Sequence, residues 1–279
     1  MLRTFLYMTG IARLTGAALL FSLASPATGH AADLQPRTVA AFDRYVHAIE
    51  AQMSRRSEFL RIDTGSDRAR SAAHDALARG ELLVDAIDPS ETGINRDVPD
   101  GLLHHWAGTL FVPGTTLDAT LALLQDYDHH ARIYAPAVRG SKLVARDGDR
   151  FRMHLRFTMT RIITVVVDTD NEAVFTRDAR DRGQSRIHST RIAQVENADM
   201  PGEHERPVGH DDGYLWRLNT YWRLLERDAG VYVECESISL TRDIPFGFGW
   251  LVRPFVTSLP KDSLEFTLGR TRQILMRER

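Results

Sequence analysis

The chain has 279 residues, of which 43% are hydrophobic and 26% charged, with a formal net charge of -2 and one cysteine. These proportions exclude a disordered or collagen-like chain. The near-neutral charge excludes the electrostatic footprint of a nucleic-acid binder, and a lone Cys235 excludes an internal disulfide framework. The length suits one large domain with an appendage.

Residues 1–31 read as a secretory signal peptide. Arg3 and Arg13 supply positive charge, Leu14 to Ala24 is a short apolar run, and Gly29-His30-Ala31 places small residues where a signal peptidase cleaves. The run is shorter than the roughly 20 residues a membrane-spanning helix needs. Its loss removes two arginines and no acid, leaving 33 basic against 37 acidic residues and a net of -4. The expected location is periplasmic or secreted.

Residues 32–100 read as a helical extension and linker. Val39, Phe42, Val46, Ile49 and Met53 fall on one face of a helix over 36 to about 60, with Pro36 in its first turn. A docked helix and a dimer contact both fit that stripe. A second helix over 69–79 stops at Gly80, a short strand covers 81–87, and the Pro-, Gly- and Asp-rich stretch 89–101 reads as a linker.

Residues 101–279 form the main domain. Strand 102–112 turns at Pro113-Gly114 into a helix capped by Thr115 or Thr116 and carrying Leu117, Leu121 and Leu124, and a shorter helix runs over 126–134. Strand 138–146 precedes a turn at Asp147-Gly148-Asp149. Then Phe151, Met153, Leu155, Phe157 and Met159 alternate with polar residues, a strand with one apolar face, and 162–167 extends it. Further strands are expected at 173–178, 186–196, 215–226 and 231–241. An apolar loop, IPFGFGWLVRPF, leads to a closing helix from about Ser258 with Leu264, Leu268, Thr271 and Leu275 on one face. The fold class is therefore α+β. A curved antiparallel sheet of about seven strands wraps on a long C-terminal helix, the helix-grip arrangement.

The stretches WAGTLFVPGTTLDATLALLQDYDHHARIYAPAV, GYLWRLNTYWRLLERDAGVYVECESISLTRDIP and LPKDSLEFTLGRTRQIL, within Gly101 to Gln273, resemble the superfamily of START domains, aromatase/cyclases and birch-pollen-allergen-like proteins. The resemblance is one of topology and texture, without a catalytic signature. It implies a cavity for an apolar molecule such as a lipid, and it does not extend to residues 33–100.

The residues expected to line such a cavity are Phe151, Met153, Leu155, Phe157, Trp216, Leu218, Trp222, Phe246, Trp250, Phe255, Leu264 and Leu268. The Asp228-Ala229-Gly230 turn registers the last hairpin, setting Arg223 opposite Glu234, Tyr221 opposite Glu236 and Arg217 near Leu240. Trp216, Leu218, Trp222 and Leu224 should then face inward. Arg223, Glu234 and Glu236 should face solvent; with the faces exchanged they would be buried polar anchors for a ligand head group. Residues 246–255 could gate the cavity or touch a membrane transiently. The Asp126/Asp128/His129/His130 and His204/His210/Asp211/Asp212 groups lack the spacing of a metal motif, so no metal or cofactor is expected. Nucleophile motifs are absent. The readings are an exported binding or transfer protein for a hydrophobic small molecule, a cyclase-like or other enzyme on the same cavity, and an envelope interaction protein using the stripe around Phe42.

Overall fold

A computed structural model describes residues 32–160, 164–243 and 249–277, the last stretch with side chains from Ser258 onward. The expected signal peptide, Ile162 and Phe246 lie outside the described residues.

A short strand β1 (Ala32–Asp33) leads into helix α1 (Pro36–Arg55), which starts on Pro36 and buries Phe42, Tyr45, Val46, Ile49 and Met53 on one face. A 3-10 turn at Arg61–Asp63 precedes α2 (Asp67–Ala78), whose first turn is capped by Ser66 Oγ accepting from the Ala69 N–H. Strand β2 (Leu83–Ala86) follows. The linker stretch then contains a one-turn helix, α3 (Pro89–Thr92), held by a capping box between Asp88 and Glu91. The long strand β3 (Gly101–Pro113) ends at a turn, and Thr116 caps α4 (Leu117–Gln125). A 3-10 turn at Tyr127–His129 joins α4 to α5 (His130–Ile133).

Strands β4 (Val138–Asp147), β5 (Arg150–Thr160), β6 (Thr164–Ala179) and β7 (Arg182–Glu196) follow as consecutive hairpins. Two short strands, β8 (His204–Glu205) and β9 (His210–Asp211), cross the polar loop, with β8 paired to β7 and β9 to β1. Strands β10 (Arg217–Arg227) and β11 (Gly230–Arg242) form the last hairpin, and helix α6 (Gly249–Arg277) closes the chain. The main sheet is antiparallel in the order β2-β3-β11-β10-β7-β6-β5-β4. With seven long strands and α6 across one face, the fold is a helix grip.

Two elements depart from the sequence reading. Residues 164–167 do not prolong β5; they start an antiparallel partner whose Thr164 pairs with Thr160. The run Asp168-Thr169-Asp170-Asn171-Glu172, which resembles a break, lies within β6. Arg156 holds Asp168 there with two hydrogen bonds of 2.7 Å, and Asn171 Nδ2 donates to Thr169 Oγ1. The stretch 249–255, expected as loop, is the start of α6, so Trp250 and Phe255 stand on a helix. Gly249 to Arg253 supply a first turn before Pro254, so that proline removes only one early intrahelical bond.

The face of the sheet under α6 carries the larger apolar core. Leu110, Val112, Phe151, Met153, Trp222, Leu224, Val233 and Cys235 pack there with Leu264, Leu268 and Leu275. The helix lies close because β3 has a glycine beneath it. A Cβ on Gly108 would stand 2.5 Å from Leu268 Cδ1 and 3.0 Å from Val84 Cγ2. Leu268 is fully buried and has nowhere to retreat. Gly108→Val is therefore expected to destabilise by about 1–3 kcal/mol through overpacking, read as a lower urea midpoint.

Candidate functional site

The register of the last hairpin is the expected one: Arg223 pairs with Glu234, Tyr221 with Glu236 and Arg217 with Leu240. Trp222 and Leu224 face α6 opposite Cys235 and Val233. Phe151, Met153, Leu155, Leu264 and Leu268 are buried in the same cluster, and Phe157 packs at its edge. Leu218 and Phe157 border a smaller cluster of Val165, Val167 and Ile192 toward the other end of that face.

Trp216 is elsewhere. It precedes β10, so the strand's alternation does not govern it, and it packs with Phe42, Tyr45, Ile238 and Leu240 on the α1 side. Its indole Nε1 donates to Asp211 Oδ1 at 3.0 Å. Placing Trp216 on the inner face is corrected by this packing.

Between the apolar clusters, the α6-covered face retains accessible surface in one cross-strand row. Trp106 pairs with Ser237, Ser237 with Thr220, and Thr220 with Ile187, and all four are only partly buried although they sit in central strands. A close-packed sheet–helix interface would seal these positions. The row leaves part of that face unsealed, apolar at Trp106 and Ile187 and hydroxyl-bearing at Ser237 and Thr220. The burial pattern can be read from the structure, but its sequence signal is weak, since Ser and Thr at strand positions carry no ligand signature.

The opposite face holds the charged residues, and here the sequence expectation fails. Arg223, Glu234 and Glu236 do not face solvent. Glu234 is 1% exposed and Glu236 4%, because α1 and the segment after it lie across them. The Arg61 backbone N–H donates to Glu234 Oε2 at 2.7 Å. Arg56 stands 3.7 Å from Glu234 and 3.8 Å from Glu236. Arg223 donates to the main-chain carbonyls of Phe59 and Met53, at 3.0 and 3.1 Å. His105 Nε2 donates to Glu236 at 2.7 Å, and Tyr45 donates its hydroxyl proton to His105 Nδ1 at 2.7 Å. Nor are these groups head-group anchors within the sheet–helix space, since the sheet separates them from it. They fasten the extension to the sheet.

The electrostatics follow from burial and pairing. Burial, reinforced by Glu236, pushes Glu234 up to about 7. Burial works against the Glu236 carboxylate too, but the His105 N–H and the Arg56 and Arg223 guanidiniums outweigh it and hold it below the usual range. Burial keeps His105 neutral. Farther along α1, Glu50 accepts from His188 at 2.8 Å and from the Tyr221 hydroxyl at 3.0 Å.

The histidine groups are ordinary in structure. Asp126 accepts from His129, Asp128 accepts from the Leu143 N–H, and Asp211 accepts from Gly213 and Trp216. No cluster of three or more metal-binding side chains occurs among the described residues. An open groove of about 400 Å³ lies at the start of α1, lined by Leu34, Val39, Asp43, Val208, His210 and Arg217 among others, outside the sheet–helix space. No helix among the described residues is long and apolar enough to cross a membrane.

No known family model and no curated protein matches the chain. Solved structures do. The chain is similar to a STAR-related lipid transfer protein from Xanthomonas axonopodis, at 17% identity over 69% of this chain and 98% of that one, with a TM-score of 0.43. It is similar to the Zhui aromatase/cyclase from Streptomyces sp. R1128, at 13% identity over 63% and 94%, TM-score 0.44. Human STARD10 is 8% identical over 77% of this chain and 81% of its own, TM-score 0.45. At these values no family, ligand or activity is carried over from them.

Proposed function

We propose that the chain is an exported binding or transfer protein for a hydrophobic small molecule, held between the sheet and α6. The observation that supports this reading is the accessible row Trp106–Ser237–Thr220–Ile187 on the helix-covered face. Apolar surface facing such a space desolvates a ligand and favours its burial at roughly 25 cal/mol per Å². The enzyme reading is less well served. The buried acids Glu234 and Glu236 and the imidazole of His105 are on the other side of the sheet from that space. The interaction-protein reading needs a free stripe on α1, but Phe42, Val46 and Ile49 are buried. Export follows from the leader expected over residues 1–31. Any membrane contact would be local and apolar, through 246–255, because the net charge after cleavage is negative.

The test is recovery of bound material. Protein purified from its native compartment, extracted with organic solvent, should release a lipid-like molecule identifiable by mass spectrometry. Thr220→Trp, which adds an indole into the row, should abolish that recovery while leaving the thermal midpoint nearly unchanged. Repeated extraction of a folded protein that yields nothing would overturn the reading, as would full recovery from Thr220→Trp. N-terminal sequencing of the exported protein should begin at Ala32.

A further inference from the structure

The groove of about 400 Å³ at the start of α1 is built from three pieces of chain. Pro36, Val39 and Asp43 lie on successive turns of α1 and form one stripe along a wall, beside the stripe that carries Phe42 and Val46 into the core. Val208 and His210 form a second wall, drawn up to the helix start where the Leu34 N–H donates to the Gly209 carbonyl at 2.7 Å. Gly209 permits that approach. Its φ is +77°, and a Cβ there would stand 3.1 Å from Leu34 Cβ. Arg217 opens β10 and shares the α1 face with Tyr221 by strand alternation, so its side chain lines the groove.

The charges in this groove do not answer one another. His210 is engaged by Asp33 at 2.7 Å. Arg217 is half-buried, and its Nη1 donates to the Trp216 carbonyl at 2.8 Å; it forms no ion pair among the described residues. A guanidinium carries five N–H donors, so most of its capacity is unused. Burial works against its charge and lowers its pKa, while the Asp43 carboxylate opposes that shift. Asp43 is thus near enough to act on Arg217 without pairing to it, and it makes no hydrogen bond among the described residues. The same cleft leaves apolar surface uncovered, most of all at Val208, which is 44% exposed.

Complementarity selects the occupant. A simple anion would satisfy Arg217 and stand against Asp43; a simple amine would do the reverse. A zwitterion satisfies both, its carboxylate accepting from the guanidinium and its ammonium donating to Asp43. An apolar side chain on the same molecule would cover Val39 and Val208. The volume lies within the range of small-molecule sites.

We propose that this groove binds a zwitterion with an apolar side chain, of the size of a dipeptide, its carboxylate on Arg217 and its ammonium on Asp43. The groove is on the other face of the sheet from the molecule proposed under α6, so the two readings stand or fall separately. The probes are alanyl-leucine, its N-acetyl derivative, its C-terminal amide and glycyl-glycine, each titrated against the full chain at pH 6.5 by ligand-observed NMR. Alanyl-leucine should show saturable millimolar binding. Acetylation, which removes the ammonium, and amidation, which removes the carboxylate, should each weaken it about fivefold. Glycyl-glycine should bind about tenfold more weakly for want of apolar surface. Arg217→Gln should erase the difference between the dipeptide and its amide while keeping that between the dipeptide and its acetyl form; Asp43→Asn should do the converse. No saturable binding of alanyl-leucine would overturn the proposal, as would equal affinity for the free and capped forms. A capping penalty that survives both substitutions would place the binding elsewhere and overturn it too. The capping series on the unsubstituted protein decides the matter even if Arg217→Gln does not fold.

Discussion

Arg223→Ala is expected to lower unfolding stability by about 3–5 kcal/mol, the cost of breaking a buried charge network by removing one member. The guanidinium caps the Met53 and Phe59 carbonyls while facing Glu234, so its loss orphans two main-chain acceptors and leaves two carboxylates with Arg56 as their nearest guanidinium. Urea denaturation should show a markedly lower midpoint. The control is Arg152→Ala, at an exposed position of β5, expected to change stability by no more than about 0.5 kcal/mol. Equal effects from the two substitutions would mean that the network beneath α1 contributes nothing particular to holding the extension.

Glu234→Gln should change how stability depends on pH. Its carboxyl titrates near 7 in the folded chain, against an ordinary value of 4.5. Between those values the folded protein holds a proton that the unfolded chain has released. The stability contributed by this group is therefore full below about 4.5 and is lost as pH rises through 7. His105 and Glu236, both shifted down, act in the opposite sense, so the informative quantity is the difference between variant and parent. Glutamine still accepts the Arg61 N–H and cannot ionise. Its thermal midpoint should gain on that of the parent between pH 5 and pH 8, by an amount corresponding to about 3 kcal/mol. A gap that is the same at both pH values would show that Glu234 titrates where a solvated carboxylate does.

Local signals carried most of the fold into the sequence. The Asp228-Ala229-Gly230 turn fixed the register of β10 and β11 residue by residue, and Pro36 and Thr116 marked helix starts that the structure keeps. The failures share a cause. Asp168 to Glu172 looks like a turn until Arg156, on the neighbouring strand, is seen to hold Asp168. Glu234 and Glu236 look solvated until a helix from residues 36–55 is laid over them. Trp216 follows strand alternation only if the strand begins one residue earlier than it does. In each case the deciding partner is distant along the chain, where periodicity has no reach. Tyr127 Oη and His130 Nε2, buried without a hydrogen-bond partner among the described residues, were equally hidden, since only packing shows it.

The clamp beneath α1 also sets an order of events. Its bonds join residues 173 positions apart, Arg61 to Glu234, and 171 apart, Tyr221 to Glu50. The segment around α1, made before the last hairpin, finds these partners only when that hairpin has formed. Until then its apolar stripe and the outer faces of β10 and β11 wait uncovered. Contacts of such long sequence separation slow folding and lengthen exposure to wrong partners. Docking of α1 therefore waits for the last hairpin.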